Sequence, residues 1–192
     1  MKRQSNEMLL ILSILKKPEK EMNANSLAES LAISSMGALK IAKKLESKGI
    51  LLSKKIGNAN ILKINFGNDY AVQYVKLMLK KEAEEANYFV KRWISELRKI
   101  NVPSVLYGSV INKKEPNDID ILLIIEKNQF SKVKKQINEI NLLNVKKIHP
   151  LYQTKEDLIK SIEKEDKVIL NAIKGIVING EDLFIDIIKE VN

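Results

Sequence analysis

The sequence predicts an α+β fold built from three segments. Residues 1–68 show helical apolar periodicity followed by two short β-patterned runs, and residues 69–101 carry apolar side chains every three or four positions. Residues 102–192 alternate short apolar runs with helical patterns, which indicates helices packed on a small mixed sheet. We therefore expect two domains, 1–68 and 102–192, joined by a helical connector.

The composition excludes several classes of protein. The chain has 192 residues, of which 45% are hydrophobic and 30% charged, so it can bury a core and remain soluble. No apolar run reaches the roughly 18 residues of a membrane span, and no cleavage pattern follows the short apolar stretch at 9–15. The absence of cysteine excludes disulfides and thiolate zinc sites. We expect a cytoplasmic protein that does not contact a membrane.

The positive charge is concentrated at the N-terminal end. The whole chain carries a formal charge of +9, and residues 1–68 hold 12 Lys/Arg against 5 Asp/Glu, a balance of +7. Residues 69–192 hold 21 and 19, a balance of only +2. This asymmetry favours a polyanion-binding first segment, with a generally lysine-rich composition as the alternative interpretation.

Apolar spacing and turn residues predict three helices and a β-hairpin in residues 1–68. The helices are expected over residues 7–16, from a cap at Asn25 or Ser26 through residue 31, and from a cap at Ser34 or Ser35 to about residue 48. Gly49 suits the C-terminal stop of the third helix. Strands are expected over 50–55 and 61–65, separated by Gly57 and Asn58, which suit a turn that needs positive φ.

This order of elements resembles the winged helix-turn-helix domain of prokaryotic transcription regulators over about residues 5–66. The resemblance implies that the third helix enters the major groove of double-stranded DNA while the hairpin follows the backbone. Leu39, Ala42 and Leu45 would then face the core. The candidate DNA-binding residues are the polar and basic groups of that helix and the hairpin: Ser34, Ser35, Lys40, Lys43, Lys44, Lys48, Lys54 and Lys55. A solvated lysine face and a protein-docking module are the alternatives.

The connector carries one continuous apolar stripe. Its members are Val72, Val75, Leu79, Ala83, Ala86, Val90, Trp93, Leu97 and Ile100. The spacing predicts either one long helix or two helices broken near residues 84–87. We expect this stripe to form the seam of a homodimer, with burial against the chain's own domains as the alternative.

The third segment shows alternating strand and helix patterns after Pro103. Strands are expected over 102–107, 119–125, 145–152 and 175–178, and helices over 130–140, 155–173 and 181–191, the second of them as one helix or a pair.

Two aspartates mark the start of the second of these strands. Of four acidic pairs at i and i+2, only Asp118 and Asp120 head a strand rich in Ile and Leu. Side chains at i and i+2 share one face of a strand about 6.5–7 Å apart, so both carboxylates could bind divalent cations. Their mutual repulsion would raise one pKa unless a cation offsets it, and oxygen ligands suit Mg²⁺. Upstream, Gly108 and Ser109 follow a strand, where backbone N–H groups and a hydroxyl can approach a phosphate.

These motifs resemble the DNA polymerase β-type nucleotidyltransferase superfamily, including its minimal prokaryotic members, over about residues 88–190. The resemblance implies that Asp118 and Asp120 are catalytic and bind two Mg²⁺ or Mn²⁺ ions. It also implies that Gly108 and Ser109 bind a nucleoside triphosphate, as ligand or substrate. Lys113 and Lys114 are the remaining candidates for contacting its phosphates.

The chain departs from that family at two places. The third carboxylate expected on the next strand is replaced by His149, the only histidine of the chain, and Pro150 beside it suits an edge strand. No Ala-Arg-Gly turn follows Gly108 and Ser109. His149 is open to a structural role, to binding a metal other than magnesium, or to proton transfer.

The preferred function is therefore a DNA-binding transcription regulator whose second domain binds nucleotide and metal with weakened or absent catalysis. The alternative is an active nucleotidyltransferase that transfers a nucleoside monophosphate to a protein, nucleic acid or small hydroxyl acceptor.

Overall fold

The structure is a computed structural model that describes residues 5–112 and 116–192. Within these ranges it contains a two-stranded antiparallel sheet, a four-stranded mixed sheet and flanking helices, so the predicted α+β class is confirmed. Two of the predicted nucleotide-binding residues, Lys113 and Lys114, lie outside the described residues. No helix within the described ranges is both long and apolar enough to cross a bilayer.

The first segment folds as three helices and a β-hairpin, in the expected order. Their bounds are α1 Asn6–Leu15, α2 Ala24–Leu31, α3 Ser35–Ser47, β1 Leu51–Ile56 and β2 Ala59–Ile64. Ser34 caps α3 as expected, because its hydroxyl accepts a hydrogen bond from the Gly37 N–H. The predicted cap of α2 is wrong. Asn23 occupies that position, since its side-chain oxygen accepts from the N–H groups of both Asn25 and Ser26.

The buried face of α3 differs from the prediction at one position. Ala38, Ala42 and Leu45 are buried, whereas Leu39 is 38% exposed. With Ser34 as the cap, positions 38, 42 and 45 fall three or four residues apart on one stripe that faces the core. Leu39 lies about 100° around the helix from Ala38, and its side chain lines a groove beside the hairpin.

The connector is two helices rather than one. They are α4 Asp69–Glu85 and α5 Tyr88–Leu97, and a 3₁₀ turn, Arg98–Ile100, follows them. The break lies at Ala86 and Asn87, inside the predicted interval. Asn87 starts α5 because its side-chain oxygen accepts a hydrogen bond of 3.0 Å from the Val90 N–H.

The apolar stripe of the connector is buried within the chain itself. Val75 and Leu79 of α4 belong to one hydrophobic cluster, and Ala83, Trp93 and Leu97 belong to another. These side chains are at most 4% exposed. The expectation that the stripe forms a dimer seam is therefore wrong, and the alternative, burial against the chain's own segments, is correct.

The third segment forms the mixed sheet and five α-helices within the described residues. The bounds are β3 Ser104–Tyr107, α6 Ser109–Asn112, β4 Ile119–Ile124, α7 Phe130–Leu143, β5 Ile148–Gln153, α8 Lys155–Glu163, α9 Lys167–Ala172, β6 Ile176–Asn179 and α10 Glu181–Glu190. The strand order is β5–β4–β3–β6, with β4 and β5 parallel and the other two pairs antiparallel. β5 lies at the edge of the sheet, which tolerates Pro150.

The two faces of β4 are buried in different cores. Ile119 and Ile121 pack in a cluster that includes residues of α5 and α7. Leu122 and Ile124 point the other way and belong to a cluster that includes residues of α8–α10 and of α1–α4. The first and third segments therefore share one core. Asp120 has the same parity as Leu122, so it lies at the end of the β4 face that looks toward this shared core.

Candidate metal centre

Asp118, Asp120 and His149 converge at the start of β4 and β5. In the parallel pairing of these strands, Asp120 stands opposite His149. One ligand atom from each of the three side chains lies within 4.8 Å of the other two. His149 Nδ1 is 3.3 Å from Asp118 Oδ2. The two carboxylates therefore share one face, as the spacing predicted, while Ile119 between them is fully buried on the other.

Ionisation of Asp120 is less favourable than that of an ordinary aspartate. The pKa of Asp120 is raised, chiefly because the group is partly removed from water and secondarily because Asp118 is negatively charged, while His149 opposes the rise. Burial and the charge of Asp120 likewise raise the pKa of Tyr107, at the end of β3. A cation between the carboxylates would offset this repulsion.

Gly108 allows the Asp120 carboxylate to occupy its position. Gly108 has a φ of +78°, a left-handed conformation that favours glycine. A Cβ atom on this residue would lie 2.1 Å from Asp120 Oδ2. The Gly108 backbone is thus adjacent to the Asp120 carboxylate.

A cavity of about 440 Å³ adjoins the glycine-serine turn. Its lining residues come from the end of β3, from α6 and from the segment before β6: Tyr107, Gly108, Ser109, Ile111, Asn112, Asn171, Lys174 and Gly175. Lys174 brings a cation to this cavity, and its Nζ is 3.3 Å from Glu19 Oε1 of the first segment. The Ser109 hydroxyl and the Lys174 ammonium, both in its lining, are the kinds of group that can hydrogen-bond to an anion.

Sequence reasoning missed Asn171, Lys174 and Gly175. They reach the cavity because β6 pairs antiparallel with β3, in a register that puts Leu106 opposite Ile176. A Cβ on Gly175 would lie 2.2 Å from the Leu106 carbonyl oxygen, which shows how closely the two chain segments approach. No local motif marks these residues, so only the strand order could have identified them.

The donor set fits a divalent cation. Two carboxylates provide hard anionic oxygens, and an imidazole provides one neutral nitrogen in the same cluster. Gly108 leaves the space that the Asp120 carboxylate needs. The predicted role of Asp118 and Asp120 as metal ligands is thus compatible with their geometry.

The candidate DNA-binding residues of the first segment lie on α3, at its two caps and on β1. Lys40 and Lys43 are exposed on α3, and Lys54 and Lys55 are exposed on β1. Ser34 is occupied as the helix cap, and Ser35 begins the helix with an exposed side chain.

Lys44 of α3 and Lys48, which caps the C-terminus of that helix, contact side chains of other helices. Lys44 Nζ lies 2.6 Å from Glu7 Oε2 of α1, and Lys48 Nζ lies 5.9 Å from the ring centroid of Tyr74 on α4. Among the described residues, Lys40 and Lys43 make no comparable ion pair or cation–π contact.

A groove of about 370 Å³ lies between the starts of α2 and α3 and the tip of the hairpin. It is lined by Asn23, Ala24, Asn25, Ser35, Met36, Leu39, Asn58, Ala59 and Asn60. Met36 projects from α3 with 74% of its surface exposed. This groove combines amide groups with apolar side chains and was not predicted from the sequence, because it depends on the phase of α3.

Comparison of the chain with protein-family models, with curated proteins and with solved structures finds no match. Function is therefore inferred from the chemistry of the residues themselves.

Proposed function

We propose that the protein is a DNA-binding transcription regulator whose third segment binds a divalent metal ion together with a nucleotide. The observation that carries the proposal is the convergence of Asp118, Asp120 and His149 beside Gly108, next to a cavity lined by Ser109 and Lys174.

In the proposed site, each residue has a distinct task. Asp118 and Asp120 hold the cation, and their two negative charges are neutralised by it. The backbone at Gly108 and the hydroxyl of Ser109 donate hydrogen bonds to phosphate oxygens, and Lys174 adds positive charge. A bound divalent ion supplies Lewis-acid stabilisation of negative charge on phosphate oxygens.

His149 favours binding over catalysis. A neutral imidazole in place of a third carboxylate removes one negative charge from the metal site, which weakens a two-magnesium arrangement. The competing proposal, an active nucleotidyltransferase, draws support from the fact that the three side chains still converge on one point. The two proposals share the site. They differ in whether the phosphoanhydride bond between the α- and β-phosphates of the bound nucleotide is broken there.

The charge distribution supports DNA as the partner of the first segment. Residues 1–68 carry a balance of +7, and their exposed lysines include Lys40 and Lys43 of α3 and Lys54 and Lys55 of β1. Lysines bind phosphates without reading bases, so they would provide affinity. The amide-lined groove beside α3 offers hydrogen-bonding groups for base contacts.

Two contacts connect the proposed nucleotide cavity with the first segment. Lys16, which caps the C-terminus of α1, donates a hydrogen bond of 2.5 Å to the Gly175 carbonyl oxygen, and Lys174 pairs with Glu19. Both Lys174 and Gly175 line the cavity. A ligand there would alter contacts made by the first segment, which is what a nucleotide-responsive regulator requires.

The decisive experiment is calorimetric titration of the full chain with MnCl₂ or MgCl₂, and then with a non-hydrolysable nucleoside triphosphate. Asp118→Asn and Asp120→Asn should each lose binding by at least about tenfold, because each removes a ligand charge. Glu163→Gln, which neutralises an exposed carboxylate on α8, is the matched control and should bind normally. Absence of metal and nucleotide binding at millimolar concentration would refute the proposal.

Incubation with radiolabelled triphosphate and Mn²⁺ separates the two candidate functions. Labelled product that disappears in Asp118→Asn would favour the transferase. Ligand binding without labelled product would favour the regulator.

DNA binding is tested with a mixed-sequence double-stranded fragment over a range of salt concentrations. The double variant Lys40→Ala/Lys43→Ala should weaken binding and reduce the slope of log K against log salt by about 0.9 for each phosphate that is no longer neutralised. Lys44→Ala, whose ammonium is paired with Glu7, is the control and should change the slope less. Equal effects of the two variants would contradict the proposed interface.

A further inference from the structure

We propose that His149 makes the metal centre selective for a first-row transition-metal ion, such as Mn²⁺ or Co²⁺, over Mg²⁺. This inference rests on the proposed metal binding and specifies the chemical class of its ion. It would make the third segment respond to transition-metal availability as well as to nucleotide.

The geometry makes His149 a member of the donor set. Its Nδ1 atom is 3.3 Å from Asp118 Oδ2, and in the pairing of β4 with β5 it stands beside Asp120. A ligand nitrogen of His149 and one oxygen of each aspartate lie mutually within 4.8 Å. An ion placed among the carboxylates therefore has the imidazole within reach after a small side-chain adjustment.

The position of His149 on the edge strand leaves the imidazole able to adjust. β5 is at the edge of the sheet, and the His149 side chain is 61% exposed. Pro150 and Ile148 flank it in the strand, so the backbone direction is fixed while the ring can rotate. The strand thus holds the ring beside Asp118 without packing it in the core.

The chemistry of the donors sets the preference. Mg²⁺ requires near-octahedral oxygen ligation, loses water reluctantly and gains little from a neutral nitrogen. Imidazole is a good ligand for first-row transition metals, whose affinity for nitrogen and oxygen donors rises along the series from Mn²⁺ to Cu²⁺. Replacing a third carboxylate by imidazole therefore weakens Mg²⁺ binding through the missing charge and strengthens transition-metal binding through a better ligand.

An alternative role for His149 makes a different prediction. A protonated His149 could simply form an ion pair with Asp118 and occupy the place of a metal. In that case removing the imidazole would improve binding of every cation to about the same degree. Selectivity between metals therefore distinguishes a ligand from an ion-pair partner.

The test uses the full chain without a histidine tag and three probes, MgCl₂, MnCl₂ and CoCl₂, each titrated alone. The wild type should bind Mn²⁺ and Co²⁺ at least about tenfold more tightly than Mg²⁺. His149→Asp restores a third carboxylate and should reduce this ratio by about tenfold, mainly through tighter Mg²⁺ binding. His149→Ala should weaken Co²⁺ binding by about tenfold or more and affect Mg²⁺ little.

A spectroscopic readout on the wild type requires no variant. The chain contains one histidine and no cysteine, so nitrogen coupling from an imidazole in the electron spin-echo spectrum of bound Mn²⁺ can come only from His149. Bound Co²⁺ should likewise give visible absorption that changes in His149→Ala.

The outcomes separate this inference from the proposed function. If no metal binds to the wild type or to His149→Asp, both proposals fail. If metals bind but the selectivity ratio is unchanged in His149→Asp and imidazole coupling is absent, the metal site stands and the role of His149 is refuted.

Discussion

Gly108 leaves the space that the Asp120 carboxylate of the candidate metal centre occupies. A Cβ at this position would overlap the Asp120 carboxylate, and the left-handed φ of +78° adds backbone strain. We expect Gly108→Ala to displace Asp120 and to weaken Mn²⁺ binding by about tenfold or more. The strain should also lower the free energy of unfolding by roughly 1–2 kcal/mol. Metal titration and urea unfolding measure the two effects separately.

Gly57 provides the matched control for this substitution. It also has a left-handed φ, of +57°, but a Cβ there would meet no described atom within 4 Å. Gly57→Ala should therefore share the backbone strain and leave metal binding unchanged. Wild-type metal affinity in Gly108→Ala would show that the contact with Asp120 does not matter for the site.

At this scale, sequence reasoning reached only the contacts that follow from local geometry. Asp118 and Asp120 share a face because they are two residues apart on a strand, which needs no tertiary information. The pairing of Asp120 with His149 and its contact with Gly108 depend on how strands from different parts of the chain align. Lys174 could not be found at all, since nothing in its neighbourhood resembles a phosphate-binding motif.

At the scale of elements, Glu7 links three helices of the chain. It lies on α1, and its carboxylate accepts hydrogen bonds from Lys44 of α3, at 2.6 Å, and from the Tyr74 hydroxyl of α4, at 2.5 Å. Burial opposes ionisation of Glu7, but these two partners outweigh it and lower the pKa. Burial and the bond to Glu7 raise the pKa of Tyr74 to about 12. The ionised form of Glu7 therefore stabilises the folded state.

This arrangement predicts a pH dependence of stability. Because the pKa of Glu7 is lower in the folded than in the unfolded chain, its contribution is fully present above the ordinary value of 4.5. It is lost as the pH falls through the lowered pKa. Glu7→Gln should reduce the free energy of unfolding by about 1 kcal/mol at pH 7, and the difference from wild type should shrink below pH 4.

Urea unfolding at pH 7 and at pH 3.5 measures the effect. Glu29→Gln, an exposed glutamate on α2, is the control and should leave stability unchanged at both values. A Glu7→Gln deficit that is the same at both pH values would contradict an ionised carboxylate as its source.

The start and end of a helix can be predicted from the sequence more accurately than which of its side chains are buried. Helix starts such as Ser34 and the stop at Gly49 reflect local hydrogen bonding and local φ, so they were predictable. The exposed position of Leu39 was missed because a one-residue change in helix phase exchanges which apolar side chain faces the core. An apolar pattern alone does not fix that phase.

At the scale of the whole molecule, the core shared by the first and third segments is a feature that was not predicted from the sequence. The stripe of α4 and α5 suits a dimer seam and an internal core equally well in its spacing. The packing of α4 against β6 and α10 shows that the stripe belongs to an internal core and not to a dimer seam. The three predicted segments are therefore continuous in their packing, and a change in one can alter another.

Lys16 connects three parts of the chain across this shared core. Its side chain is buried, and its ammonium is bonded to the Glu82 carboxylate of α4 and to the Gly175 carbonyl oxygen at the cavity. Burial lowers the pKa of Lys16, and Glu82 opposes that effect. One side chain thus joins α1, the connector and the wall of the proposed nucleotide cavity.

This connection predicts thermodynamic coupling between nucleotide and DNA. Saturation with Mn²⁺ and a non-hydrolysable triphosphate should change the DNA dissociation constant by about fivefold or more, a typical coupling between sites. Lys16→Met should reduce that factor to nearly one, because Gly175 then no longer accepts a hydrogen bond from α1. It should also lower the free energy of unfolding by about 2–3 kcal/mol, since Glu82 is left without its buried partner.

Lys76→Met is the control that separates the contact between Lys16 and Gly175 from ion pairs between segments in general. Lys76 of α4 pairs with Asp182 of α10 at 2.6 Å and therefore also connects two segments. Its partner Asp182 does not line the cavity, whereas Gly175, the partner of Lys16, does. DNA affinity is measured by fluorescence anisotropy with and without ligand, at a temperature where each variant is folded. Coupling that survives in Lys16→Met, or disappears equally in Lys76→Met, would show that the signal does not pass through Gly175. If the ligand does not change the DNA affinity of the wild type, the two segments share a core but their binding sites are not coupled.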